Sequence, residues 1–140
     1  MAKIRRFEDL QGWQKARELA NAIYALTRQA AFNRDHRLRD QIQGAAGSVM
    51  HNIAEGFDAG SDKEFTRFLR YARRSASEVQ SQLYLALDQD YITADELQEA
   101  YELATETKKL INGLLGYLNH NSSLREISPD YLTKDHSTKD

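Results

Sequence analysis

Four cations recur at intervals of four, three and four in the middle of the chain: Lys63, Arg67, Arg70 and Arg74. At about 100° per residue, a helix carrying them gathers all four into an arc about 60° wide, with Arg73 on its flank. Phe65, Phe68, Ala72, Ala76, Val79 and Leu83 fall on the opposite side, so the row faces away from a packed seam. Guanidinium forks match phosphate oxygens, and a row of them suits the backbone of RNA or DNA without reading base sequence. The same pattern also describes an ordinary solvated face, in which Glu78, four residues beyond Arg74, offsets part of the charge. Tyr71 and Leu85 share the outer side, and large apolar groups there point to cover by another chain.

Catalytic and metal chemistry find no comparable pattern. A di-iron site in a helical bundle needs Glu-x-x-His on two helices, so that both ligands face inward one turn apart. The residues three before His36, His51, His120 and His136 are Asn33, Ser48, Tyr117 and Thr133, none of them acidic. There are no cysteines, which removes thiolate zinc sites, iron–sulfur clusters and a Cys nucleophile. His-Glu-x-x-His, a phosphate-binding Gly-rich loop and the Gly-x-Ser-x-Gly elbow do not occur either. The expectation is a protein that is no enzyme, with no catalytic residues, metal or cofactor. His51 reads as an ordinary helix-side residue.

The elements that must position the cationic row are helices. The 140 residues include one proline and seven glycines, too little turn material for a fold of many short strands. Four stretches are periodic. The first, about Phe7 to Ala31, places Trp13, Ala16, Ala20, Ile23, Thr27 and Ala30 on one seam. The second, about His36 to Glu55, carries Leu38, Ile42, Ala45, Val49 and Ile53, with Gly56 suited to the position just past its end. Capping boxes open the third and fourth: Ser61-Asp62-Lys63-Glu64 leads to about Gln89, and Thr93-Ala94-Asp95-Glu96 leads to Leu118. Gly44 and Gly47, and Gly113 and Gly116, cost about 1 kcal/mol each against alanine inside helices, and close helix–helix approach explains them. Short connections between long helices predict an all-α fold, an antiparallel up-down-up-down four-helix bundle over residues 1–121. A mobile polar C-terminal tail is expected over 122–140.

Charge divides the chain. Residues 1–74 hold 14 Lys/Arg against 9 Asp/Glu, and residues 75–140 hold 5 against 12. Such a chain can meet a polyanion with one face, or its own copies head to tail. No apolar run approaches the roughly 20 residues that span a bilayer, and the basic N-terminus leads into no apolar signal segment. A cytoplasmic protein without membrane contact is expected.

Three segments carry a family resemblance. Phe7-Glu8-Asp9-Leu10-x-x-Trp13-Gln14-Lys15-Ala16 resembles the opening helix of the 23S rRNA-intervening-sequence (four-helix bundle) proteins. Asn52-Ile53-Ala54-Glu55-Gly56-Phe57 is similar to the signature that ends the family's second helix. Lys63-Glu64-Phe65-x-Arg67-Phe68-Leu69-x-x-Ala72-x-x-Ser75-x-x-Glu78 resembles its third helix, and Asp90-Tyr91-Ile92 the turn that follows. The resemblance implies an antiparallel bundle assembled as a homopentamer, with no catalytic residues. The accessory proteins of diversity-generating retroelements look similar; that likeness implies nucleic acid and a reverse transcriptase as partners. A protein–protein adaptor without nucleic-acid affinity is the alternative. Of the motif residues, Trp13 reads as core or interface, and Asn52, Glu55 and Gly56 as structural, with Asn52 and Glu55 hydrogen-bonding across the bundle end or at the loop beside Gly56.

Overall fold

The computed structural model describes residues 4–120, so the tail expected over 122–140 lies outside the described residues. All regular structure among the described residues is helical. A 3₁₀ turn, Phe7–Asp9, precedes α1 (Gln11–Thr27), a single turn α2 (Ala30–Arg34), α3 (His36–Asp58), α4 (Asp62–Asp88) and α5 (Ala94–His120).

The buried seam of α4 shows why these residues form a helix with one dry face. Phe65, Leu69, Ala72, Ala76, Val79, Leu83 and Ala86 are buried at alternating intervals of four and three, the spacing that keeps one stripe turned to a neighbour. α1 contributes Ala16, Leu19, Ala20, Ile23 and Thr27; α3 contributes Leu38, Ile42, Ala45, Ala46, Val49, Ile53 and Phe57. α5 adds Ala104, Ile111 and Leu114. These side chains form one continuous core. α1 packs on α3 and α5, and α4 packs on the same two helices.

The first expected helix is divided. Leu10 is extended, between the 3₁₀ turn and α1, and its side chain is fully buried. Gln29 is extended between α1 and α2. Neither break is marked by glycine or proline, and burial of Leu10 and Phe32 outweighs the cost of interrupting the helix. Ala30, assigned to the first seam, is exposed.

Two glycine expectations are corrected. Gly56 is not the stop of the second helix; α3 runs through it to Asp58. A methyl group on Gly56 would stand 2.7 Å from Phe68 Cβ and 3.0 Å from Phe65 Cδ1, so the missing side chain lets α3 approach α4. The chain turns instead at Gly60, with φ +93°. Gly44 has open space around it, and Gly47 would meet only His51 of its own helix. Close helix approach therefore does not explain those two.

Candidate nucleic-acid interface

The row sits on the first half of α4, and local hydrogen bonding explains its start. The Ser61 hydroxyl accepts from the Glu64 amide at 3.2 Å, satisfying one of the unpaired donors of the first turn. The reciprocal half of the expected capping box is replaced by another contact: the Glu64 carboxylate accepts from Arg67 through both oxygens. At Thr93, by contrast, both halves form, with Glu96 N donating to Thr93 Oγ1 at 3.1 Å and Thr93 N donating to Glu96 Oε1 at 2.9 Å.

Lys63, Arg67, Arg70 and Arg74 are all exposed, opposite the buried stripe of the same helix. Arg73 is half-buried on the flank and donates to Asn112 Oδ1 of α5 at 2.7 Å, so it ties the helix pair together as well as adding charge. Arg67 also donates to Tyr71 Oη at 3.1 Å and lies 4.8 Å from the Phe68 ring centre. The Arg74 guanidinium lies 5.0 Å from the Tyr71 ring centre. Both guanidinium groups thus lie within cation–π distance of the Tyr71 ring. The long side chains enclose an open groove of about 580 Å³ along the helix.

Among the described residues Glu64 is the one carboxylate paired with the row. Its hydrogen bond from Arg67 holds its pKa below the usual carboxylate range, and the hydrogen bonds to Glu64 and Tyr71 push the Arg67 pKa up. Arg67 therefore stays charged in every ordinary buffer. Glu78 does not pair with Arg74; it accepts from Gln82 Nε2 at 3.1 Å. Among the described residues Lys63 and Arg70 have no hydrogen-bond or ion-pair partner. Three positive charges of the row (Lys63, Arg70 and Arg74) thus have no salt bridge among the described residues.

Trp13 packs against the core, with the Phe7 ring 5.2 Å away edge-on and the Arg17 guanidinium 5.8 Å from its ring centre. Asn52 Nδ2 donates to the Ser48 carbonyl and hydroxyl, and Ser75 Oγ donates to that same hydroxyl at 3.0 Å. The link reaches α4 but not the loop beside Gly56. Glu55 is exposed, with no hydrogen-bond partner among the described residues. His51 is exposed as well. Among the described residues no group of three or more His, Cys, Asp or Glu side chains could hold a metal ion, and no helix is long and apolar enough to cross a membrane.

Sequence reasoning passed over two glutamines. Gln80 is buried and donates to Thr105 Oγ1 at 2.9 Å, while Lys108 Nζ donates to its Oε1 at 3.0 Å. Gln82 is buried with its Oε1 unpartnered. Polar residues at the borders of an apolar stripe read as exposed, and only the neighbouring helix shows otherwise. No curated protein matches the chain. The family model of the 23S rRNA-intervening sequence protein matches residues 8–113, most of the 140-residue chain, and the chain belongs to that family.

Proposed function

We propose that this is a non-enzymatic, oligomeric bundle protein that binds the phosphate backbone of RNA or DNA weakly and without sequence preference. The four long helices are read as an antiparallel up-down-up-down bundle. Contacts whose residue numbers fall in one helix as they rise in the other support this: Thr27 with Gln43, Gly12 with Ile53, Ser48 with Ser75, and Gly56 with Phe68. The observation that carries the functional reading is the exposed row Lys63, Arg67, Arg70 and Arg74, with which a single carboxylate is paired among the described residues. The fully solvated face with balancing ion pairs requires Glu78 on Arg74, and Glu78 is engaged elsewhere. A homopentamer, as the family resemblance implies, would repeat the row around the assembly and multiply a footprint that is modest in one copy.

Retention of labelled RNA and DNA measured at several ionic strengths tests this reading. The logarithm of affinity should fall linearly with the logarithm of salt concentration, with a slope of about −2 to −4 for two to four neutralised phosphates. Arg67→Glu combined with Arg70→Glu and Arg74→Glu should abolish retention while leaving the helical circular dichroism unchanged. Wild-type protein that retains neither polymer even at low salt defeats the proposal.

A second reading, a protein–protein adaptor docking another protein such as a polymerase or reverse transcriptase, draws on a different observation. Tyr84 and Leu85 on α4 are 51% and 48% exposed, and Tyr24 on α1 is 43% exposed. Large apolar side chains so open to water mark a surface that another chain covers. This reading expects an oligomer without nucleic-acid affinity and pull-downs dominated by one protein.

A further inference from the structure

A second row on the molecule has the spacing of the first and the opposite sign. Asp95, Glu99, Glu102 and Glu106 follow one another along α5 at intervals of four, three and four, and all four are exposed. At about 1.5 Å rise per residue both rows span roughly 16 Å. The carboxylates are lightly engaged: Glu102 accepts from Gln98 at 2.8 Å, Glu106 lies 4.0 Å from Lys15, and Asp95 and Glu99 have no partner among the described residues.

The two rows cannot meet within one chain. Arg73 lies beside Asn112 and Gln80 beside Thr105, so α4 residues 63–74 lie alongside the C-terminal part of α5. The carboxylates, on α5 residues 95–106, lie toward the other end of the helix pair. A second copy, displaced or turned end for end, has no such restriction.

We propose that the cationic row on α4 is a docking surface for the carboxylate row on α5 of a second copy, and that this contact and a bound polyanion exclude each other. The competitive part rests on the proposed function, since it takes the same row as the phosphate-binding surface. Charge complementarity at matched spacing identifies this occupant. Among the described residues Lys63, Arg70 and Arg74 lack a salt bridge and Asp95 and Glu99 lack any partner, and facing the rows lets up to four exposed pairs form together. Each exposed pair is weak, and several acting in concert make a contact that salt dissolves. Cover by α5 keeps the row from binding polyanions indiscriminately, and a polyanion of higher charge density displaces it.

Two charge-reversed proteins and one neutralised protein, all altered at exposed positions, test the proposal by sedimentation velocity. At about 0.05 M salt, wild type should show a self-association that is lost at about 0.5 M. Arg67→Glu with Arg70→Glu, and separately Glu99→Arg with Glu102→Arg, should each lower that association about tenfold, and an equimolar mixture of the two should restore it. Circular dichroism melts establish that each variant is folded. Glu99→Gln with Glu102→Gln leaves the row intact, and should weaken self-association while tightening the binding of a labelled RNA about threefold. A mixture of the reversed proteins that fails to associate overturns the contact. Unchanged RNA affinity in the neutralised protein overturns the competition. If wild type binds neither RNA nor DNA but the mixture still restores association, the phosphate-binding reading fails and the self-contact stands.

Discussion

Gly56 and Gly44 lie on the same helix, yet alanine should act on them in opposite directions. At Gly56 the added methyl meets Phe68 Cβ, an atom fixed to the α4 backbone. Overpacking against an atom that cannot swing aside costs about 1–3 kcal/mol, and the helix-propensity gain of about 1 kcal/mol recovers only part of it. Gly44 has open space, so Gly44→Ala should stabilise by about 1 kcal/mol. Urea unfolding of the two variants beside the wild type checks both signs. Asn-Ile-Ala-Glu-Gly-Phe could be read from the sequence as a helix-end signal, because a glycine after an amphipathic run usually is one. What that reading lacked was the partner: Phe65 and Phe68 lie on another helix, and no local pattern shows which residue they will face.

The element scale turns on how the helices start and join. Asp35 caps α3 by accepting from the Leu38 amide at 3.1 Å, and it accepts from Tyr91 Oη at 2.9 Å. Tyr91 also stacks on Phe32 at 5.4 Å. One carboxylate thus fixes the start of α3 to the turn between α4 and α5. The Leu38 amide, with the Tyr91 hydroxyl second, holds the Asp35 pKa below its ordinary value, and the bond to Asp35 holds Tyr91 above its own. A depressed acid contributes stability above its unfolded pKa and loses it as pH falls; a raised tyrosine contributes below its unfolded pKa and loses it as pH rises. Thermal stability should therefore fall below about pH 4 and again above about pH 10. Asp35→Asn should flatten the acid limb and Tyr91→Phe the alkaline one, seen in melting temperatures across that range. Periodicity and the Ser61 and Thr93 caps made α3, α4 and α5 legible in the sequence. The interruptions at Leu10 and Gln29 were not, because burial of Leu10 and Phe32 decides them, with no glycine or proline to mark the place.

At the scale of the whole molecule, charge is segregated along the helices. α4 begins with Lys63, Arg67, Arg70, Arg73 and Arg74, and α5 begins with Asp95, Glu96 and Glu99. The net charge of −2 conceals this, and folding turns a division along the sequence into one in space. The outward direction of the row was readable from intervals of three and four residues. Its pairing was not: Glu64 looked like a capping residue and pairs with Arg67, while Glu78 looked like a partner for Arg74 and binds Gln82. Side chains two turns apart compete for the same groups, and spacing alone does not rank them. The row's capacity to hold phosphate is best tested by a salt-resolved titration of one labelled single-stranded RNA against the wild type and the Arg67→Glu, Arg70→Glu, Arg74→Glu variant. The wild type should show a linear log–log decline, and the variant no measurable binding at the lowest salt. Equal affinity and equal salt slope in the two proteins would contradict that capacity.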